Sequence, residues 1–250
     1  MMKIIISPAK KMNVDTDSLP TRGLPQFLPQ TQKLLAVLKG MDYNQLKKLW
    51  KCNDAITQQN VERLERANLT RQLTPAILAY EGLQYQYMAP SVFADTENEY
   101  IQRHLRILSG FYGVLRPFDG VIPYRLEMQT KLAVDGHKDL YSFWGKSLAE
   151  SVSEDTNCII NLASKEYSIA VEKHLAPDVR FITVIFGEEK DGKVVEKGTA
   201  CKMARGEMVR FMAEQNITTP DDIKTFTRQN YKFCEKLSTE NTFVFIRKTV

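Results

Sequence analysis

The residues that could do chemistry are lysines and arginines placed just after predicted strand or turn ends. They are Lys10, Lys11, Arg116, Arg125, Lys165, Lys202, Arg205 and Arg210. In a domain built on a sheet, residues that follow strands gather along one edge and can line a common crevice. We therefore predict a basic groove that binds phosphate groups. Arg205 and Gly206 are expected to open a helix, so that N-terminal amides also face the anion. Taken singly, each cation is explained as well by pairing with a nearby glutamate or by solvation.

Two of these arginines lie in an irregular segment, residues 108–128, whose glycines and prolines interrupt both helix and strand periods. Arg116 and Arg125 are flanked there by Tyr112, Phe118 and Tyr124. Aromatic rings interleaved with arginines suit stacking on unpaired bases. A rigid segment of this kind is expected to run over the surface or to line a cleft.

A second interpretation of the same segment is a small-molecule site. Glu127 lies beside Arg125, and Ser109 and Tyr112 lie upstream, so the carboxylate could act as a base. A structural ion pair explains Arg125 and Glu127 equally well. Histidine pairs at metal-ligand spacing, GxSxG, Walker A and GxGxxG patterns are all missing from the sequence, so no metal ligand and no cofactor is named.

A third candidate is a basic pair of helices predicted over residues 31–39 and 44–52. A helix-hairpin-helix unit binds a DNA phosphate through backbone N–H groups in a tight turn and at a helix N-terminus. The residues assigned to this role are Lys39, Gly40, Lys47 and Lys48. Two amphipathic helices around a glycine are also common in α-rich proteins without any such function.

Composition places the chain among globular proteins. It has 250 residues, 43% of them hydrophobic, and a formal net charge of +4. This mild basicity is compatible with polyanion binding. Neither a membrane-spanning run nor a secretory signal is recognised, so we expect a cytoplasmic protein. Four cysteines without a CxxC pair indicate a reducing compartment, and only Cys201, beside Lys202, has cations that would lower its pKa if the thiol were exposed.

The pattern of elements predicts a mixed α/β fold, a single domain over residues 1–250 with a central sheet surrounded by many helices. The sheet order is not predicted. Strands are predicted over residues 3–7, 158–162, 181–186, 193–196 and 243–247. Helices are predicted over residues 31–39, 44–52, 55–67, 76–80, 97–108, 143–152, 204–215 and 221–226. A charged turn is predicted over residues 187–192.

Several long motifs of the sequence resemble those of the YaaA family of bacterial peroxide-stress proteins. They are IIISPAK, LSGFYGVLRP, PYRLEM, FWG, INLAS followed by EY, and KMARG. The resemblance spans nearly the whole chain. It implies a fold peculiar to the family and a cytoplasmic protein that protects against hydrogen peroxide and limits damage from unincorporated iron. It also implies DNA binding through a basic cleft and a helix-hairpin-helix element.

Together these observations predict a DNA-binding protein of the oxidative-stress response that contacts the backbone with little sequence preference. DNA is the expected partner, and the link to intracellular iron is expected to be indirect. The alternative is an enzyme that acts on a phosphorylated small molecule or nucleotide in the same basic cleft. An open groove would favour the first interpretation and a capped pocket the second.

Overall fold

A computed structural model describes residues 2–247 and confirms the mixed α/β architecture. The largest sheet has the strand order β11-β12-β9-β8-β1-β5-β6, with β10 paired to β9. The strands are β1 (Met2–Ile6), β2 (Lys11–Met12), β3 (Thr74–Pro75), β4 (Tyr80–Glu81), β5 (Leu105–Ser109), β6 (Gly113–Leu115), β7 (Gly120–Val121), β8 (Cys158–Leu162), β9 (Arg180–Lys190), β10 (Lys193–Val195), β11 (Tyr231–Phe233) and β12 (Thr242–Arg247).

Helices cover this sheet. They are α1 (Leu28–Lys39), α2 (Tyr43–Trp50), α3 (Asp54–Glu65), α4 (Ala76–Ala79), α5 (Leu83–Met88), α6 (Asp95–His104), α7 (Leu140–Trp144), α8 (Ser147–Ser153), α9 (Lys165–Glu172) and α10 (Gly198–Glu214). Short 3-10 helices lie at Pro90–Val92, Asp221–Thr225, Arg228–Asn230 and Glu235–Leu237. None of the helices within residues 2–247 is long and apolar enough to cross a membrane.

Five neighbouring strands of the sheet run parallel, in the order β5, β1, β8, β9, β12. The first strand, β1, is fully buried because its MKIII sequence is packed on both faces, as is usual in parallel sheets. The next parallel strand, β5, pairs with one edge of β1, and the third, β8, pairs with the other. The direction in which strands are added therefore reverses at β1. In parallel sheets, the crevice outside the carboxyl ends at such a reversal is the usual ligand position.

Several helix and strand boundaries predicted from the sequence are wrong. Residues 105–108, predicted as the end of a helix, lie in strand β5 between β1 and β6, and Leu105 and Ile107 are buried beside β1. The helix predicted over residues 143–152 is two helices, separated where Gly145 takes a φ of +50°. Residues 187–190, predicted as a turn, continue β9, and the turn itself lies at Asp191 and Gly192, both at positive φ.

The close packing of α5 against α10 depends on Gly206. A Cβ at this position would lie 2.1 Å from the carbonyl oxygen of Gln84 and 2.9 Å from the amide nitrogen of Met88. Because both atoms belong to the backbone of α5, they can move only if the helix moves. Gly206 therefore sets the distance between the two helices.

The edge of the sheet at the amino ends of the parallel strands carries a separate polar cluster. The buried ammonium of Lys3 pairs with Asp155 at 2.8 Å and donates to the carbonyl oxygen of Arg103. Asp119, 7% exposed, accepts a hydrogen bond from the amide of Arg116. Burial raises the pKa of Asp119 to about 6, against the opposing effect of that hydrogen bond and of the nearby arginine charges.

The first prediction concerns Gly206. Gly206→Ala should lower the free energy of unfolding by about 2 kcal/mol, because overpacking against backbone exceeds the gain in helix propensity of about 1 kcal/mol. Urea denaturation measures the change. The matched control is Gly198→Ala at the start of α10, where no atom lies within 4 Å of an added Cβ; its effect should stay within about 0.5 kcal/mol. Equal stabilities of the two variants would contradict this assignment.

The second prediction concerns Asp119. Since its folded-state pKa lies above the unfolded value, the folded protein binds the extra proton, and stability falls as the pH rises from about 4 to about 6. Asp119→Asn removes this titration. The variant should therefore gain stability relative to the wild type by about 3 kcal/mol over that range, measured by urea unfolding at several pH values.

The control for Asp119 is Asp54, whose pKa Lys47 and Tyr43 lower through hydrogen bonds to its carboxylate. A carboxylate with a lowered pKa stabilises the folded state at pH values above its unfolded pKa. As the pH rises, Asp54→Asn should therefore lose stability relative to the wild type, whereas Asp119→Asn gains it. Parallel pH profiles for the wild type and Asp119→Asn would refute the second prediction.

Candidate functional site

A cavity of about 420 Å³ opens at the carboxyl ends of β1 and β8, where the strand order reverses. Ser7 follows β1 and Ser164 follows β8, and both line it. The amide of Ser164 donates to the Ser7 hydroxyl at 2.8 Å, and that hydroxyl donates to the Ser164 hydroxyl at 3.1 Å. The helix α9 begins at the next residue. The floor of the cavity is therefore held by the two central strands themselves.

Five of the eight cations named from the sequence line this cavity. They are Lys10, Lys11, Arg125, Lys202 and Arg205. They come from three separate parts of the chain: the segment after β1, the irregular segment, and α10. The three lysines are exposed, whereas the side chains of Arg125 and Arg205 are 14% and 17% exposed. The cavity thus has exposed ammonium groups at its rim and largely buried guanidinium groups in its wall.

Glutamates neutralise part of this charge. Glu127 accepts from Lys10 at 2.8 Å and from Arg125 at 3.0 Å, so it bridges rim and wall. Lys11 pairs with Glu81 at 2.6 Å. Lys202 has no ion pair with the residues that the structure describes. Some positive charge is therefore left for a ligand.

Three lining side chains also hold an unused hydrogen-bond donor. The Nε atoms of Arg125 and Arg205 and the Nε2 atom of Gln84 are shielded from solvent and have no partner among the described residues. Arg205 does approach Glu196, but only at 3.7 Å and through a terminal nitrogen. Unpaired buried donors are costly, and a ligand that supplies acceptors relieves that cost.

The remaining three cations lie elsewhere, which corrects the predicted groove. Arg116 follows β6, which runs antiparallel to β5, so the chain there returns to the amino edge of the sheet. Arg116 lines a different cavity together with Arg106 and Asp119. Lys165 is exposed on the first turn of α9 and does not line the cavity. Arg210 pairs with Glu214 at 2.7 Å, four residues further along α10.

The expected helix start at Arg205 and Gly206 is also wrong. Since α10 begins at Gly198, both residues lie in the middle of the helix, where backbone amides are already bonded. The helix N-terminus beside the cavity is that of α9, after Ser164. Arg205 contributes its side chain only.

The proposed partners of Glu127 are structural. Ser109 is fully buried; its hydroxyl accepts the amides of Phe111 and Tyr112 and bonds the Tyr124 hydroxyl at 2.6 Å. The Tyr112 hydroxyl accepts the amide of Ile122. These bonds hold the irregular segment rigid, and neither side chain lines the cavity. Of the three residues, only Glu127 does.

Tyrosines form the apolar wall. Tyr85, Tyr124 and Tyr167 line the cavity, and the Tyr85 hydroxyl donates to the carbonyl oxygen of Ser7 at 2.9 Å. Burial raises the pKa of Tyr124 to about 12 and raises the pKa of Tyr85 well above its ordinary value. With these raised pKa values, Tyr85 and Tyr124 are neutral hydrogen-bonding groups. Burial also raises the pKa of the Glu166 carboxyl, and the charge of Glu127 adds to the effect.

The two basic helices exist as α1 and α2, but backbone N–H groups in the turn between them already have hydrogen-bond partners within the protein. The amide of Gly40 bonds carbonyl oxygens of α1. Asp42 caps α2, accepting the amide of Gln45 at 2.9 Å, so its carboxylate occupies the position where a phosphate would bind. Lys47 pairs with Asp54 at 2.6 Å, while Lys48 is exposed. Lys39 lies within 3.5 Å of the carbonyl oxygens of Glu65 and Ala67.

Cys201 does not have the reactive environment that its neighbours suggested. It is 4% exposed and donates to the carbonyl oxygen of Phe186. Burial raises the pKa of its thiol to about 11, with Glu196 adding to the effect. Among residues 2–247, no three histidine, cysteine, aspartate or glutamate side chains are grouped as metal ligands.

Sequence reasoning missed several lining residues. Ser7 and Ser164 carried a weak signal, because Ser7 ends the strand predicted over residues 3–7 and Ser164 lies two residues after the strand predicted over residues 158–162. Gln84 carried no signal: it lies after Gly82 in a segment without a motif, and only its position opposite Gly206 brings it to the cavity.

Comparisons with known proteins agree on one family. The family model described as "Peroxide stress protein YaaA" matches residues 2–237. A UPF0246 protein of Agathobacter rectalis is 55% identical over 99% of this chain and 99% of that protein. UPF0246 proteins of Lachnoclostridium phytofermentans and Pediococcus pentosaceus are each 53% identical over 98% of this chain, covering 96% and 98% of their own lengths. The chain therefore belongs to the YaaA family of peroxide-stress proteins.

Proposed function

We propose that the protein binds DNA through its phosphate backbone in the cytoplasm, as its part in the response to peroxide stress. The observation that carries this proposal is the meeting of five cations from three chain segments at one cavity. Phosphate contacts by lysine and arginine supply most of the affinity of non-specific DNA binding. In this proposal the link to iron is indirect, because bound protein protects DNA from damage that iron and peroxide cause together.

Charge supports this choice. Three glutamates, Glu81, Glu127 and Glu166, line the cavity with the five cations, which leaves an excess of two positive charges. The ammonium groups of Lys10, Lys11 and Lys202 are exposed at the rim, where a backbone passing across the mouth would meet them. Glu127 holds Arg125 in place, and the lining glutamates limit non-specific binding of other anions.

The helix pair α1 and α2 enters the proposal as a second contact with DNA. Its exposed Lys48 is available to a phosphate, whereas Asp42 already caps the N-terminus of α2. In this arrangement the lysine side chains, rather than the backbone of the turn, bind the phosphates.

An enzyme acting on a phosphorylated small molecule or nucleotide is the second candidate. One observation favours it: the cavity lies at the reversal of strand order, where parallel sheets usually bind such ligands. Its volume is also within the range of small-molecule sites, roughly 300–1,000 Å³. Glu166, with its raised pKa, is the group that would serve as the base.

The third prediction tests DNA binding by its salt dependence. Fluorescence anisotropy of a labelled duplex should show log affinity falling linearly with log salt, with a slope of about −0.9 for each phosphate contact. Lys10→Ala and Lys202→Ala should each reduce the magnitude of the slope by about 0.9. The loss should be similar for duplexes of unrelated sequence, because the contacts are to the backbone.

The matched control is Lys146→Ala. Lys146 resembles Lys10 in exposure and in its 2.8 Å pairing with a glutamate, but it lies on no part of the cavity. Its slope should equal that of the wild type. Lys48→Ala tests the helix pair, and an unchanged slope would confine the contact to the cavity. A wild-type affinity that does not respond to salt would refute DNA backbone binding.

A further inference from the structure

Eight buried side-chain nitrogen and oxygen atoms of residues 2–247 have no hydrogen-bond partner, and three of the eight belong to residues that line the cavity. All three are N–H groups, on Gln84, Arg125 and Arg205. A buried donor that is left unpaired destabilises the folded state. A ligand rich in acceptor oxygen or nitrogen atoms matches the donors that these lining residues carry.

Gln84 is the most specific of these groups. It is 7% exposed, lies in the first turn of α5, and its side-chain amide makes no hydrogen bond with the described residues. Its backbone is fixed against Gly206. A carboxamide presents a donor and an acceptor side by side, which is the pairing that a nucleobase edge offers in return.

The arginines supply a different chemistry a short distance along the same cavity. Arg205 precedes Gly206, so the contact that fixes Gln84 also fixes Arg205 beside it. Arg125 is held by Glu127 at 3.0 Å. A planar guanidinium matches a phosphate with two parallel hydrogen bonds, which a lysine cannot do.

The tyrosines of the cavity provide an apolar surface for a nucleobase. Tyr85, Tyr124 and Tyr167 line the interior, while the charged groups lie at the rim and in one wall. A nucleotide has the same division into a flat apolar base and a charged phosphate. A base within a duplex cannot reach such an interior, so the nucleotide must be unpaired.

We propose that this cavity is a nucleotide-binding site that takes one unpaired nucleotide, with its phosphate on Arg125 and Arg205 and its base beside Gln84 and the tyrosines. The nucleotide can be part of a DNA strand or free in solution. The first source rests on the proposed function; the second does not.

The fourth prediction uses truncated ligands on the intact wild-type protein. Isothermal titration calorimetry should show saturable binding of deoxyadenosine monophosphate. Deoxyadenosine lacks the phosphate, and deoxyribose phosphate lacks the base. Each should bind at least about tenfold more weakly than the monophosphate, because each loses one of the two sets of contacts. For the strand, a duplex with one bulged nucleotide should bind about tenfold more tightly than the same duplex with an abasic bulge.

Gln84→Met provides the residue-level test. The substitution keeps the length of the side chain and removes an amide that has no partner, so thermal stability should not fall. Preference for the base-containing ligand should fall about tenfold. The matched control is Gln229→Met, because the Gln229 amide is also buried and unpartnered but lies on no part of the cavity. Gln229→Met should bind as the wild type does.

The outcomes separate the two proposals. If the bulged duplex binds more tightly than the abasic one but the free monophosphate does not bind, the ligand is a nucleotide of a DNA strand. If only the free monophosphate binds, the ligand is the free nucleotide. Loss of every base preference, or a Gln84→Met variant that binds as the wild type does, overturns the nucleotide site even if duplex binding persists. Nucleotide binding without duplex binding supports the site and refutes the proposed function.

Discussion

The parallel pairing of β1 with β8 is the constraint on which the site depends. It places Ser7 and Ser164 side by side, and the 2.8 Å bond from the Ser164 amide to the Ser7 hydroxyl joins the two loops that leave the sheet. Several elements that line the cavity adjoin this junction: the lysines after β1, the start of α9, and α5 through the bond from Tyr85 to Ser7. A slip of the β1–β8 register by one residue would move the two serines apart and reverse the faces of β8.

The second constraint is steric. Because Gly206 has no Cβ, α10 approaches α5 closely enough to bring Arg205 and Gln84 to the same wall. Glu127 then balances Arg125 and Lys10 without cancelling the charge of Lys202. The site thus combines a largely buried interior with an exposed cationic rim. Such a division suits a ligand whose charged part is long and variable and whose inserted part is small and defined.

The parts of the fold and of the site that could be predicted share a physical reason. The strand β8 was predicted at its observed bounds because Cys158–Leu162 is a buried apolar run, and Lys10 was placed at the cavity because loops after parallel strands meet at one edge. Lys202 reaches the same cavity from within α10. Arg116 was misplaced because the antiparallel pairing of β6 sends the chain to the opposite edge, and pairing direction is not encoded locally. The start of α10 was missed because its first turn, GTAC, has no helical apolar period, and Gln84 acquires its role only through a tertiary contact with Gly206.

The proposed function requires that phosphate is bound at the carboxyl edge of the sheet. Photo-cross-linking of the full chain to DNA that carries a photoreactive thymidine analogue, followed by mass spectrometry of the peptides, locates the contact directly. We expect cross-links at residues that line the cavity, namely residues 81–85 and 124–127, Ser164, Glu166, Tyr167, Lys202 and Arg205. Cross-links concentrated instead on the opposite edge, around Arg106 and Arg116, would contradict it.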